Sequence, residues 1–313
     1  MSRQAATAVS IASIASIVST VFSAVVLLAA APARAADPAL GPTLQKIKEG
    51  NLIAIGHRTS SIPFSYYDEN QKVIGYSQDL CQKVIDQVKL KLNAPSLEVR
   101  MVPVTAQNRT PLLQNGTIDL ECGVTSNLKN RWQQVSFATN FFVASSRILT
   151  RRDSGIKDFA DLAGKAVVTN AGTTSEQLLR NLNEHRKMNM QLQSAKDYGE
   201  AFLILQSGRV AAYVMDDVLL AGARTTAQKP GDWLLTGTPF GAEPYAFMVR
   251  KDDPQFKQLV DATLSELMKN GEIKKMYAKW FTFPIPPKNV SFNFPMSETV
   301  SRLYATPTDK PMD

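Results

Sequence analysis

Cysteine and histidine are scarce in this chain, which has two of each among 313 residues. A zinc site built from several cysteines and histidines is therefore excluded, and histidine-based catalysis would have to use His57 or His185. His57 stands beside Arg58, whose charge disfavours an imidazolium ion, and His185 lies on a polar helix face. Neither histidine is predicted to be catalytic, and we expect no metal and no cofactor.

The chain also lacks the common signatures of nucleotide-binding proteins and hydrolases. No Walker pattern, no Gly-x-Gly-x-x-Gly turn after a strand and no Gly-x-Ser-x-Gly elbow occur. Lysine and arginine exceed aspartate and glutamate by 35 to 28, a net charge of +7, but the basic residues are scattered along the chain. This distribution favours neither a nucleic acid nor a membrane surface as a partner.

One long apolar run is present, and it lies near the N-terminus. Arg3 precedes residues 4–33, which carry no charge, and Ala33-Arg34-Ala35 then forms a small-x-small exit. This order predicts a cleaved secretory signal peptide over residues 1–35 and therefore a soluble protein exported to the periplasm. The alternative is a permanent membrane tether, since the 21 residues from Ile11 to Ala31 just suffice to span a bilayer.

Predicted strands and helices alternate along the rest of the chain. Apolar runs bounded by turn residues predict strands at 52–55, 97–104, 117–124, 165–169 and 210–215. Apolar residues at helical spacing or helix-start signals predict helices at 78–92, at 198–206, from 174 onward and at 256–268. This alternation predicts an α/β fold of two lobes, each with a mixed, mostly parallel sheet flanked by helices.

Two extended segments bracket the second run of elements, at residues 142–150 and 243–250. We expect both to cross between the lobes as hinges. Lobe 1 would then comprise residues 36–144 together with 244–313, and lobe 2 residues 145–243. The proline-rich tail after Phe281 is predicted to lie along the surface.

Cations and hydroxyl groups collect at the carboxyl ends of the predicted strands, where open α/β sheets bind small ligands. The residues placed in this way are Arg58, Arg109, Thr125, Ser126, Arg131, Thr173, Thr174 and Asp216. Guanidinium groups, hydroxyls and one carboxylate together suit a zwitterion that carries an extra carboxylate.

The two cysteines, Cys81 and Cys122, form the one possible intrachain pair. Cys81 lies on the core-facing side of a predicted helix, and Cys122 lies on a strand of the same lobe. Because an exported protein meets an oxidising compartment, we expect a disulfide between them. Two buried free thiols are the alternative.

Several motifs resemble those of one family. Residues 63–68 (PFSYYD) and 75–80 (GYSQDL) resemble the opening signature of the periplasmic amino-acid-binding proteins of ABC importers, solute-binding protein family 3. Thr125-Ser126 with Arg131, Gly172-Thr173-Thr174 and Met215-Asp216-Asp217 resemble that family's ligand-binding elements. The motifs that resemble its glutamate/aspartate-binding subgroup are Gly56-His57-Arg58, Gln107-Asn108-Arg109, Gln114 to Thr117, Glu121-Cys122-Gly123 and residues 284–289 (PIPPKN).

The resemblance implies a type II periplasmic-binding-protein fold whose lobes close over an acidic amino acid, which the protein then delivers to the permease of an ABC transporter. Arg58 and Arg109 would hold the ligand's side-chain carboxylate, and Asp216 its ammonium group. Arg131, Ser126 and Thr174 would hold its α-carboxylate, with Thr125 and Thr173 beside them. We expect a monomer that binds and does not catalyse.

Three positions depart from the subgroup. This chain has Ala106 and Val124 where serines are common, and Tyr198 where histidine is common. Each lost donor to a charged partner is worth about 1.5–3 kcal/mol. Tyr198 keeps a hydroxyl and remains a candidate ligand-binding residue, but a related dicarboxylate is an alternative ligand.

Two other functions stay open at this point. An enzyme on the same fold, resembling cyclohexadienyl dehydratase, would need a general acid in the pocket, for which Glu121 and Glu243 are the candidates. A module that senses a ligand for a membrane receptor would need the same closure as a transport protein.

Overall fold

The computed structural model describes residues 40–291 and 293–312, so the predicted signal peptide lies outside the described residues. The strands are β1 (Leu52–His57), β2 (Ser60–Ser61), β3 (Ser65–Tyr67), β4 (Val73–Ile74), β5 (Glu98–Pro103), β6 (Leu120–Ser126), β7 (Val135–Phe137), β8 (Phe142–Arg151), β9 (Ala166–Asn170), β10 (Gln191–Ala195), β11 (Ala212–Asp216), β12 (Trp233–Arg250), β13 (Pro284–Ile285) and β14 (Val290–Ser291). The α-helices are α1 (Gly41–Gly50), α2 (Tyr76–Leu92), α3 (Arg109–Gln114), α4 (Thr174–His185), α5 (Tyr198–Gln206), α6 (Asp217–Thr225), α7 (Pro254–Lys269), α8 (Glu272–Phe281) and α9 (Glu298–Ala305).

A nine-stranded mixed sheet organises these elements, with the order β10-β9-β11-β8-β12-β6-β1-β5 and β7 attached to β12. Strands β1, β5 and β6 are parallel and lie on one side of the central pair β8–β12, which we call the β1 side. Strands β9, β10 and β11 are parallel and lie on the other side, the β9 side. The central strands run antiparallel to their neighbours. The predicted α/β class is confirmed.

The central pair joins the two sides of the sheet. β8 and β12 are antiparallel, with Phe142 opposite Tyr245 and Ala144 opposite Glu243. They contain the segments 142–150 and 243–250, which the sequence predicted to be extended. β12 also pairs with β6, where Tyr245 is opposite Ser126.

Aromatic side chains pack around the start of the central pair. The Phe64 ring makes edge contacts with Phe142 and Tyr245, at 5.0 and 5.4 Å between ring centroids, and with Phe281 of α8. All four rings are buried. Such contacts contribute about 0.5–1.5 kcal/mol per pair beyond simple burial. The cluster therefore fixes the point at which both central strands meet the β1 side.

Helices pack against strands on both sides of the central pair. Helices α2 and α3 contact β6, whereas α4 and α5 contact β9 and α6 contacts β11 and the central pair. The apolar residues Leu80, Val84 and Val88 lie on one face of α2 and are fully buried, as their spacing predicts, whereas Leu90 is exposed. Across residues 40–291 and 293–312, every helix is too short or too polar to cross a membrane.

Among the elements that were not predicted from the sequence, β10 and α8 show why. β10 has the sequence QLQSA and is mostly exposed, so it lacks the alternation of apolar residues that identifies a strand. It is held at the edge of the sheet by parallel pairing with β9. Helix α8 follows α7 directly, because Gly271 adopts a left-handed conformation (φ 78°) that turns the chain between them.

The proline-rich tail connects elements from both sides of the sheet. Tyr66 of β3 donates a hydrogen bond from its hydroxyl to the Pro286 carbonyl, at 2.8 Å. Two residues later, Lys288 Nζ donates to the carbonyls of Thr226 and Ala227, at 2.6 and 3.1 Å. These carbonyls follow the last turn of α6, where a cation is favourable to the helix dipole.

A disulfide joins Cys81 of α2 to Cys122 of β6. Both cysteines are buried. The bridge spans 41 residues of sequence and ties a helix to the strand that leads into the Thr125-Ser126 segment. Closing a loop of this length restricts the unfolded chain and thereby stabilises the fold.

Replacing both cysteines by alanine should lower the free energy of unfolding by about 4 kcal/mol, as loop entropy predicts for this separation. Urea denaturation of wild type and of the Cys81→Ala/Cys122→Ala variant measures the change. Reductant should shift the wild-type transition and leave the variant unaffected. Two labelled thiols in unreduced, denatured wild type would contradict the bridge.

Candidate functional site

The predicted ligand-binding residues lie at the ends of elements from both sides of the sheet. Arg58 follows β1, Arg109 begins α3, Thr125 and Ser126 end β6, and Arg131 lies in a 3-10 turn, Lys129–Gln133. From the β9 side come Thr173 and Thr174 at the start of α4, Tyr198 at the start of α5 and Asp216 at the end of β11. These element ends from the two sides of the sheet therefore face one another across a cleft beside the central pair.

Two adjoining cavities occupy this cleft. One, of about 550 Å³, is lined by Ala106, Arg109, Arg131 and Gly172, among others. The second, of about 580 Å³, is lined by Arg131, Gly172, Thr174 and Glu243, among others. Arg131 and Gly172 belong to both cavities. Of the predicted residues, Arg109, Arg131, Thr173 and Thr174 line these cavities. The other five, Arg58, Thr125, Ser126, Tyr198 and Asp216, do not line either cavity.

Gly172 allows the two sides to approach closely. Its φ is 76°, and a Cβ atom at this position would lie 2.9 Å from Gln107 Cγ and 3.2 Å from the Ala106 carbonyl carbon. A side chain here would therefore push the loop before α3 away from the start of α4.

Three guanidinium groups are held in the cleft. Arg58 and Arg109 are almost fully buried, and Arg58 Nη1 has no hydrogen-bond partner. Arg109 Nη1 donates to the Val124 carbonyl at 3.1 Å, and Arg131 Nη1 donates to the Ser126 carbonyl at 2.8 Å. Burial lowers the pKa of Arg109 to about 10, while Glu121 opposes that shift and the other two arginines add to it. Burial likewise lowers the pKa of Arg131.

Tyr198 reaches across the cleft to Arg58. The Arg58 Cζ atom lies 5.0 Å from the centroid of the Tyr198 ring, a cation–π contact. The start of α5 is fixed nearby, because Gly199 N donates to Ser60 Oγ at 3.3 Å. The ring, almost fully buried, therefore covers one face of the Arg58 guanidinium.

Glu121 is a buried carboxylate between these arginines. Thr125 Oγ1 donates to its Oε2 at 2.8 Å, whereas its Oε1 has no partner. Burial raises the pKa of Glu121, and the charges of Arg109, Arg58 and Arg131 act against that rise. The Thr125 hydroxyl is thus used to hold Glu121, a role that sequence reasoning did not assign to it.

Thr173 is also used within the protein. Its Oγ1 donates to the Asn170 carbonyl at 2.6 Å and accepts from Glu176 N at 3.2 Å, so it caps α4. The other hydroxyls predicted to bind a ligand, those of Ser126 and Thr174, face the Glu243 side chain.

Asp216 and Glu243 form the acidic part of the cleft. The Tyr245 hydroxyl donates a hydrogen bond to Asp216 Oδ2, and Asp216 Oδ1 has no partner. Burial, followed by the charge of Glu243, raises the pKa of Asp216 well above its ordinary value. Burial raises the pKa of Glu243 as well.

Sequence reasoning did not find Tyr245 and considered Glu243 only as a general acid. Tyr245 is placed by its pairing with Phe142 and by the aromatic cluster, both of which depend on residues distant in the sequence. Of the three departures, Val124 supplies its carbonyl to Arg109, so a backbone group performs there what its side chain cannot.

Comparison with known proteins identifies the family. Residues 53–283 match the bacterial extracellular solute-binding proteins, family 3. The chain belongs to this family.

Two relatives of this solute-binding protein are named for glutamate and aspartate. It is 52% identical over 278 residues to the glutamate/aspartate import solute-binding protein of Escherichia coli (strain K12), covering 89% of this chain and 92% of that protein. It is 53% identical over 269 residues to the L-glutamate/L-aspartate-binding protein of Pseudomonas aeruginosa, covering 86% and 89% of the two chains. The predicted family resemblance is confirmed.

The fold also matches solved structures. One is an ancestral amino-acid-binding protein described as a precursor of cyclohexadienyl dehydratase, with a TM-score of 0.68 and 27% identity, covering 77% of this chain and all of that one. The predicted type II periplasmic-binding-protein fold of this solute-binding protein is confirmed.

The raised pKa of Asp216 gives a prediction for stability. Above the unfolded-state pKa of about 3.9, the folded protein holds a proton that the unfolded chain has released, so this group lowers stability as pH rises toward the folded-state pKa. Asp216→Asn cannot ionise. The free energy of unfolding of Asp216→Asn minus that of wild type should therefore become more positive between pH 5 and pH 8. Urea denaturation of both proteins at each pH measures this difference.

The matched control is Asp153→Asn. Asp153 is exposed, and its pKa is lowered by Arg151, so its ionisation is complete below this pH range. The difference between Asp153→Asn and wild type should stay constant from pH 5 to pH 8. Parallel pH profiles for Asp216→Asn and wild type would contradict the assignment.

Proposed function

We propose that this protein captures an acidic amino acid, glutamate or aspartate, outside the cytoplasm and delivers it to the permease of an ABC transporter. The observation that carries the proposal is the burial of Arg58 and Arg109 in one cleft, with Arg58 Nη1 left without a partner. The names of relatives at 52% and 53% identity support the same ligand class.

The charges of the cleft favour a ligand with two carboxylates. Burial is the main cause of the lowered pKa of Arg109, and the charges of Arg131 and Arg58 lower it further, so the guanidinium groups disfavour one another. Glu121 compensates part of this charge, but its own pKa is raised by burial. A ligand carboxylate between Arg58 and Arg109 would supply the missing anion and the missing hydrogen-bond acceptor for Arg58 Nη1.

The backbone of the ligand would bind at the other end of the cleft. Its α-carboxylate would be held by Arg131, Ser126 and Thr174, and its ammonium group by the unpartnered Asp216 Oδ1. Thr125 would act by holding Glu121, and Thr173 by capping α4. Tyr198 would close the side-chain end over Arg58.

Binding would be coupled to closure of two lobes, residues 36–144 with 244–313 and residues 145–243. The central strands β8 and β12 would form the hinge. A ligand that contacts both lobes only when they are shut favours the closed form by that difference in affinity. The permease would recognise the closed form. We infer that the protein binds its ligand without turning it over, as the transport proteins that it resembles do. Glu121, a candidate general acid for an enzyme, is already engaged by the Thr125 hydroxyl.

Arg109→Ala should weaken glutamate binding by about 30-fold to several thousandfold, because removing one partner of a desolvated charge pair costs about 2–5 kcal/mol. Calorimetry with glutamate, aspartate, glutamine and histidine tests both the site and the ligand class. The control is Arg151→Ala, an exposed arginine paired with Asp153, which should bind like wild type. Unchanged affinity in Arg109→Ala, or tightest binding of histidine, would refute the proposal.

The mature protein should begin at Ala36 and be recovered from the periplasm in soluble form, because Ala33-Arg34-Ala35 matches a cleavage site. N-terminal sequencing of the periplasmic fraction measures this. Replacing Ala33 and Ala35 by bulky residues should leave the precursor uncleaved in the membrane fraction. Finding residues 1–35 intact on membrane-bound wild type would support the tether instead.

A further inference from the structure

Glu243 occupies a distinctive position in the cleft. It lies on β12 opposite Ala144 of β8, within the central pair that joins the two sides of the sheet. Its side chain lines the cavity that also contains Arg131 and Thr174. Its Oε2 atom is buried and has no hydrogen-bond partner.

The groups that face Glu243 are those expected to hold a ligand's α-carboxylate. The hydroxyls of Ser126 and Thr174 and the charge of Arg131 all stabilise the ionised form of its carboxylate. We call these three residues the α-carboxylate cradle. Ser126 comes from the β1 side and Thr174 from the β9 side, so one carboxylate of the central pair contacts both.

We propose that Glu243 is an internal competitor for the α-carboxylate cradle, so that a ligand's α-carboxylate binds by displacing the Glu243 carboxylate from Ser126, Thr174 and Arg131. This inference rests on the proposed function, because it assumes an amino acid as the ligand. It assigns to Glu243 a role in setting affinity that is separate from the recognition of the ligand's side chain.

The charges around the cradle indicate why two carboxylates are unfavourable there. The Glu243 charge already reaches Asp216, whose pKa it helps to raise. A ligand's α-carboxylate would compete with the Glu243 carboxylate for one guanidinium, that of Arg131. Like charges held together without an intervening cation oppose binding, so removing the Glu243 charge should strengthen it.

Isothermal titration of wild type and Glu243→Gln with L-glutamate and with L-isoglutamine tests the proposal. Isoglutamine is the α-amide of glutamate and lacks the charge that competes with Glu243. Glu243→Gln should bind glutamate at least about tenfold more tightly than wild type, the equivalent of removing one like-charge contact. Its affinity for isoglutamine should change much less, which a merely structural role would not produce.

Two further variants make the test specific. Glu243→Ala removes the carboxylate without introducing an amide and should shift glutamate affinity in the same direction. The matched control is Glu176→Gln, because Glu176 lines the same cavity but bonds to Arg180 and Ser194 instead of the cradle. Its glutamate affinity should stay close to that of wild type.

The outcomes separate the two proposals. Equal or weaker glutamate binding by both Glu243 variants, or an equal gain for isoglutamine, would overturn the role of Glu243 and leave the proposed function standing. Absence of glutamate and aspartate binding in every protein tested would overturn the proposed function and, with it, the competitor.

Discussion

The mutual neutralisation of buried charges is the constraint on which the cleft depends. Arg58, Arg109 and Arg131 lie in a space where isolated cations would be very unfavourable, and Glu121, Asp216 and Glu243 face them. Burial raises the pKa of all three carboxyl groups, so they offset the guanidinium groups less well than exposed carboxylates would. An acidic ligand, as proposed, would add an anion to this cluster.

Uncharged hydrogen-bonding groups, which the fold places, also hold the charged side chains of this cluster. Backbone carbonyls of Val124 and Ser126 at the end of β6 accept hydrogen bonds from Arg109 and Arg131, and the Tyr245 hydroxyl donates one to Asp216. The disulfide fixes β6 against α2 just before these carbonyls. The disulfide and these hydrogen bonds thus fix the positions of the arginine and aspartate side chains, which their mutual charges alone would not fix.

The sequence allowed the positions of most site residues to be predicted, because parallel strands place their carboxyl ends at one edge. Arg58, Ser126 and Asp216 follow this rule directly. The uses of Thr125 and Thr173 could not be predicted, since the hydroxyls are taken up by Glu121 and by the Asn170 carbonyl, whose positions depend on the folded loops. The same limitation applies to strand β10, which is specified by its partner β9 and not by its own apolar pattern.

The tail that follows α8 has a mechanical consequence. Tyr66 of β3 anchors it at Pro286, while Lys288 binds the carbonyls that follow α6. Strand β3 contacts β6 of the β1 side, whereas α6 contacts β11 of the β9 side as well as the central pair. A rotation of one side against the other would therefore change the distance between these two anchors. Only Pro287 separates Pro286 from Lys288, so the backbone offers little slack and the flexible lysine side chain has to extend or detach. If the lobes open and close as proposed, the tail would act as a latch outside the cleft, and its release would add to the free energy of opening whether or not the cleft is occupied.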